Sequence, residues 1–423
     1  MRPDLLAWDT INKIQGVDTK SVCSPFGRVF YYRRIYLITH DSYPPLPTSP
    51  SVEAVDVWLK GLGLKSETVG SSYQNRDITM YEYDWSPPDD VADIGHLPTV
   101  LIISLVHGNE VMGLLALLQT IHNVVTLQQS NLLPQKPARI LFIPFVNVDA
   151  YTLNIQNGQG YRRTNLRPTC QVADPDDVTN LYMGGVDLNR NHPTSWEQGL
   201  DEFSDCSDEC GRNYHGPQAW SEPEAQAIRD VVLNNNVTAA LSFHSRSYQS
   251  EAPLLIHPYT SNRFFSDLPA RDRQRFLSWK QELNEDSYYV AGTAQEAIHY
   301  TAGGSTIDWM YSVGVTSFVV EVVPPCSNDR WCSSLAADKI WPSIERYGTT
   351  GRQFIGLACD DFEAAGRWQR GGSKLNAIVL ISILGIGLFL LLRHYRRRLS
   401  RRQDIEPETE QDSGAQVEME NLT

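Results

Sequence analysis

Apolar residues in this chain fall into short unbroken runs, separated by segments in which they recur at helical spacing. The strongest runs are 99–106 (TVLIISLV), 139–146 (RILFIPFV), 238–243 (TAALSF) and 315–323 (VTSFVVEVV). Each has the length of a strand and lacks the in–out alternation of a half-exposed one, so each predicts a strand covered on both faces. Between them, 110–125, 222–233, 272–283 and 306–313 read as helices. Buried strands alternating with helices predict an α/β domain, a sheet covered by helices on both faces. A further strand-like run, 29–40 (VFYYRRIYLITH), precedes the Pro- and Ser-rich stretch 42–51 (SYPPLPTSPS), which reads as a boundary. The organisation expected is a segment of unassigned structure over 1–50, then one α/β domain over 51–364.

Composition narrows the class. The 423 residues carry 36 basic and 50 acidic side chains, a formal charge of −14, which argues against a nucleic-acid partner because phosphate binding needs clustered positive charge. Seven cysteines are too few for a disulfide scaffold, and the absence of C-x-x-C argues against a zinc ribbon. Cys206 lies close to Cys210, and Cys326 to Cys332. Scattered reduced cysteines are one reading; bridges become the better one if the domain lies outside the cytosol.

The C-terminal end bears on that point. Residues 375–392 (LNAIVLISILGIGLFLLL) form an uncharged apolar stretch of spanning length, after a short polar spacer over 365–374. Six arginines follow, Arg393, Arg396, Arg397, Arg398, Arg401 and Arg402, and then an acidic polar tail completes 393–423. This predicts one transmembrane helix with the basic tail cytoplasmic and the large domain lumenal or extracellular. The start, MRPDLLAWDTINKIQG, has no apolar run of signal-peptide type. A tail-anchored protein with a cytosolic domain is the competing topology, and the sequon at Asn236-Val-Thr favours the lumenal one.

Candidate chemistry collects at the ends of the strong strands. His107 follows the first run, and Glu110 opens the next helix. Alone, such a pair is a surface turn more often than a site. His244 stands at the end of a second run, in SFHS, and Glu321 lies inside a third, in FVVEVV. A carboxylate in an apolar strand is costly unless something requires it; a structural ion pair is the bland requirement. His107, Glu110 and His244 together make the two-histidine, one-glutamate ligand set of a catalytic zinc, one ion per chain, with Glu321 free to act as general base. GGVDLNRNHP presents Asn189 beside Arg190, a guanidinium and an amide suited to a carboxylate, and GYRRTNLRP presents Arg162 and Arg163.

The order HGNE, YRRTN, GVDLNRN, SFHS, YTAGGSTIDW, FVVE resembles the zinc metallocarboxypeptidases of the carboxypeptidase A/B and N/E types, over about residues 55–350. HGNE and GVDLNRN are similar to the N/E type, SFHS and STIDW to the A/B type. The resemblance implies the carboxypeptidase fold, with a mixed central sheet, and removal of C-terminal residues from peptides or proteins. It implies His107, Glu110 and His244 as zinc ligands, Asp187 as the acid orienting His107, and Glu321 as general base. Arg162 would polarise the scissile carbonyl, Asn189 and Arg190 would grip the terminal carboxylate, and Tyr300 would close over the substrate, with His299 a weaker rival. Ile307 would floor the pocket for the C-terminal side chain, which implies apolar or aromatic specificity. An acid from elsewhere, Asp308 or Glu251, would instead favour basic residues. A catalytically silent, peptide-binding ectodomain is the other alternative; every position of the set is filled here, which favours the enzyme.

Overall fold

The computed structural model describes residues 43–85, 97–129, 138–158, 161–170, 183–198, 206–246, 252–261, 267–326 and 335–365. The run 29–40, Glu251, the apolar segment 375–392 and the tail 393–423 lie outside the described residues. Among the described residues, no helix is long and apolar enough to cross a membrane.

The chain enters through helix α1 (Val52–Gly61), started by Ser51, whose hydroxyl accepts from the Ala54 amide at 3.2 Å. Strands β1 (Lys65–Ser71) and β2 (Asp77–Trp85) form an antiparallel hairpin. Then come β3 (Thr99–Ser104), helix α2 (Val111–Gln129), β4 (Ala138–Ile143) and helix α3 (Val148–Asn157). Further along follow helix α4 (Pro223–Asn234), β5 (Val237–Ser245), β6 (Leu254–Ile256) and helix α5 (Ala270–Leu283). The domain closes with β7 (Val290–Gly292), helices α6 (Ala294–Ile298) and α7 (Thr306–Ser312), β8 (Thr316–Val322), and a last helix, α8, over residues 337–365.

One eight-stranded sheet runs in the order β1-β2-β4-β3-β5-β8-β6-β7. Its middle, β4-β3-β5-β8, is parallel; β2 on one side and β6 with β7 on the other run antiparallel to it, and β1 is antiparallel to β2. The α/β sheet expected from the apolar runs is therefore present, and it is mixed, as the carboxypeptidase resemblance implies. All six residues of β3 are buried, as a strand covered on both faces must be. Helix α2 packs across β3, β5 and β8, and α8 seals the region through Phe354, whose ring meets Trp279 at 5.2 Å and Phe318 at 6.1 Å.

Topology dictates where a site can form. From β3 the chain passes to β4 on one side, then returns to β5 on the other. That reversal opens a crevice beyond the carboxyl ends of β3 and β5, the usual ligand position of an open α/β sheet. The cysteines add a tie beside it: Cys210 bonds to Cys170, 40 residues upstream, rather than to its near neighbour Cys206. Cys326 is also disulfide-bonded.

Candidate active site

His107, Glu110 and His244 meet in that crevice. Their ligand atoms lie within 4.8 Å of one another, and all three side chains are buried. His107 sits just beyond β3, after Leu105, whose left-handed φ of 51° bends the chain out of the strand. Glu110 immediately precedes α2. His244 is the penultimate residue of β5. Gly113 is what lets the helix and strand come so close: a Cβ there would stand 2.8 Å from the Phe243 carbonyl oxygen. With any side chain at that position, α2 would be pushed off β5, and Glu110 off His244.

The donor set fits a cation. His107 Nε2 lies 3.0 Å from Asp187 Oδ1, so that nitrogen carries the ring proton and Nδ1 presents a lone pair. Yet His107 Nδ1 faces Glu110 Oε1 at 2.8 Å and His244 Nδ1 at 3.1 Å. Glu110 Oε2 in turn lies 2.9 Å from His244 Nδ1. Acceptors gathered this tightly in a buried place repel unless positive charge sits among them. Ligands each about 2.0–2.1 Å from a tetrahedral zinc stand about 3.3 Å apart, close to these separations. One further donor steadies the carboxylate: the Ser245 amide reaches Glu110 Oε2 at 3.2 Å.

Asp187 joins the metal group to the loop after it. Its Oδ1 faces His107 and also accepts from the Asn189 amide at 2.9 Å; its Oδ2 accepts from Arg163 Nη2 at 2.8 Å. Burial alone would raise the Asp187 carboxyl, but the Arg163 guanidinium, aided by His107, holds it well below the usual carboxylate range. Asn189 is fixed from its far side, its Oδ1 accepting from the Thr306 amide at 2.9 Å, and Arg190 Nη1 donates to the Asn189 carbonyl at 3.1 Å. The pair expected to grip a carboxylate is thus anchored both to the metal group and to the start of α7.

The arginine pair divides differently from the expectation. Arg163 Nη1 reaches Glu110 Oε1 at 3.2 Å, so Arg163 bridges the metal group and Asp187. Arg162 donates instead to main-chain carbonyls, Met183 and Asn165, each at 2.6 Å. Burial lowers its guanidinium to about 10. Sequence alone misses the role of Arg163 because nothing in YRRTN says which neighbour faces inward.

Glu321 lies in β8 directly opposite His244 in the parallel register, so the two project from the same face. Burial raises its carboxyl, with His244 offsetting part of the rise. Tyr300 lies in the connection between α6 and α7, partly exposed, next to an exposed His299 with left-handed backbone. Ile307 is buried in an apolar cluster apart from the main core, with Leu254, Ile256, Ala294, Ala297 and Val319. Asp308, beside it, accepts from the amides of Thr260 at 2.9 and 3.0 Å and of Ser261 at 3.1 Å. That carboxylate is committed to the backbone, which weakens the case for it as partner of a basic substrate side chain.

Comparison with known proteins bears on the family and the fold. The family description "Zinc carboxypeptidase" matches residues 64–331. Carboxypeptidase B2 of Rattus norvegicus is 30% identical over 187 residues, covering 42% of this chain and 41% of the relative. Carboxypeptidase A5 of Homo sapiens is 26% identical over 250 residues, 58% of this chain and 52% of the relative. The chain spans about half the length of these curated relatives. Among solved structures, the carboxypeptidase A from Helicoverpa armigera superimposes with a TM-score of 0.57 at 24% identity, over 76% of this chain and 75% of that one, a likeness of fold. With more than half of its length matched by the family description, the chain belongs to the zinc carboxypeptidase family.

Proposed function

We propose that this protein is a zinc-dependent exopeptidase that hydrolyses the C-terminal residue of peptides or proteins. The observation that carries the reading is the convergence, through Asp187, of a two-histidine, one-glutamate cation group with an Asn–Arg pair suited to a carboxylate. Only a chain end supplies that carboxylate, so the pair selects exo- over endopeptidase action.

His107, Glu110 and His244 would hold the ion. Zinc, when bound, supplies a Lewis acid and brings the pKa of a water toward ~7. Glu321, raised by its burial, takes a proton from the attacking water and delivers it to the leaving amine. Arg163 is our choice, in place of Arg162, for the cation that stabilises the carbonyl oxygen as it gains charge, because its guanidinium stands against Glu110. Asn189 and Arg190 hold the terminal carboxylate, and Tyr300 closes over the bound residue. The test is release of C-terminal amino acids from a peptide panel, with and without a chelator; a panel untouched by the zinc-loaded protein would refute the reading.

Ile307 as pocket floor supports apolar or aromatic specificity. Burying an apolar side chain against it is worth ~1.5–3 kcal/mol, whereas a guanidinium would lack a paired charge. Matched peptides ending in Phe or Leu are expected to exceed those ending in Lys or Arg at least about tenfold in kcat/KM, a factor that ~1.4 kcal/mol produces. A tenfold preference the other way would overturn the assignment of the floor.

Membrane anchoring is part of the proposal and rests on the sequence 375–392 and its flanking arginines. Asn236, exposed in the turn between α4 and β5, is the glycosylation candidate of a lumenal domain. A tag on the tail is expected to resist protease added to intact cells and to become sensitive on permeabilisation. Cleavage of the tag in intact cells would reverse the topology.

A further inference from the structure

Behind the carboxylate grip lies a buried polar cluster that the mechanism does not use. Asn165, Glu222 and Glu224 have no solvent exposure. Asn165 Nδ2 donates to Glu222 Oε2 at 2.7 Å and to Glu224 Oε2 at 3.2 Å. Its Oδ1 accepts from the Val186 amide at 2.9 Å, its own amide donates to the Val186 carbonyl at 3.1 Å, and its carbonyl accepts from Arg162 Nη2 at 2.6 Å. Val186 directly precedes Asp187. Glu224 Oε1 accepts from the Tyr73 amide at 2.8 Å, in the β1–β2 turn. The Glu222 amide donates to Asn191 Oδ1 at 3.1 Å, one residue past Arg190.

We propose that Asn165 is a positioning residue for the carboxylate grip: clamped by Glu222 and Glu224, it sets the loop bearing Asp187, Asn189 and Arg190 against the loop bearing Arg162 and Arg163. This rests on the exopeptidase reading for the meaning of the grip, and on the hydrogen bonds above for the clamp. The amide orientation is forced, because the Val186 amide can only donate, which leaves Oδ1 as its acceptor and Nδ2 facing the two glutamates. The Cys170–Cys210 bridge reinforces the same loops, with the Gly184 amide on the Cys210 carbonyl at 3.3 Å and the Gly185 amide on Thr169 Oγ1 at 2.7 Å.

The charges around the clamp make it testable. Glu222 accepts from Arg167 Nη1 at 3.0 Å and from Ser221 Oγ at 2.6 Å. Tyr214 senses both Arg167 and Glu222. On the far side of the Tyr73 turn, Arg76 pairs with Asp149 at 2.6 Å. Arg167 is thus a counter-charge on Glu222, and burial raises the Glu224 carboxyl to about 7. Asn165→Asp keeps the shape but turns a donor into a third carboxylate facing the other two. That repulsion is present when all are ionised and is relieved when one takes a proton.

The experiment compares wild type, Asn165→Asp, Glu224→Gln and the double variant, all zinc-loaded, at about pH 8 and about pH 6. Readouts are kcat and KM for a peptide substrate, zinc content, and the calorimetric Kd for N-acetyl-phenylalanine, which needs no turnover. At the higher pH, Asn165→Asp is expected to raise KM and Kd at least about tenfold with kcat within about threefold, a loss of binding rather than of chemistry. Zinc content is expected to stay at the wild-type value. The variant-to-wild-type ratio should shrink at the lower pH, and Glu224→Gln in the double variant should restore most of the affinity. Unchanged Kd, the same fractional loss at both pH values, or no rescue by Glu224→Gln would overturn the proposal. A wild type that binds N-acetyl-phenylalanine but cleaves no peptide would instead count against the exopeptidase reading, leaving the clamp to be judged on Kd.

Discussion

Glu321→Gln is expected to lower kcat by at least ~100-fold, the lower range of what a positioned acid–base group contributes. Gln has the shape of Glu, so the β5–β8 register that sets position 321 opposite His244 should survive. An amide oxygen is too weak a base to take the proton from water or to carry it to the leaving amine. Zinc content and affinity for a product-like ligand should stay close to wild type, because neither depends on the missing charge. Those two measurements separate loss of the base from loss of the site. Turnover within a few-fold of wild type would show that another group serves as base.

His107→Ala should act one step earlier, on occupancy itself. It deletes one of three ligands and leaves Glu110 and Asp187 facing each other with Arg163 as their shared counter-charge. The fall in zinc affinity should exceed the ~10–100-fold typical of altering only a ligand's outer partner. Metal analysis after dialysis against a chelator, beside a kinetic assay, checks it. Full zinc occupancy with normal turnover would remove His107 from the ligand set.

The parts of the fold that were legible in the sequence are those where burial leaves a mark. The apolar runs at 99–106, 139–146, 238–243 and 315–323 each contain or overlap a central strand, β3, β4, β5 and β8. Strand β1 escaped because most of its residues are exposed, so no apolar face distinguishes KSETVGS from a loop. Strands β6 and β7 are three residues each, too short for any periodicity. The metal group was legible because His107, Glu110 and His244 recur at the ends of separate apolar runs and in the order of the family's motifs. Which partners Arg162 and Arg163 take was not, since these lie far along the chain, the Met183 carbonyl for Arg162 and Glu110 for Arg163. Asp308 is a similar case: whether a buried acid serves substrate or backbone depends on the amides of Thr260 and Ser261, 48 and 47 residues away.

Asp187 has a thermodynamic consequence. A single oxygen of it receives both the ring of His107 and the amide of Asn189, so the metal group and the carboxylate grip share one rigid member. Two ligands that each order a shared element bind with positive cooperativity, and the effect is reciprocal. A bound C-terminal carboxylate should therefore strengthen the binding of zinc by the same free energy with which zinc strengthens the hold on that carboxylate. On the proposed exopeptidase reading, a released amino acid would then act as a weak guardian of the metal, and the ion would be held least tightly when the site carries no carboxylate.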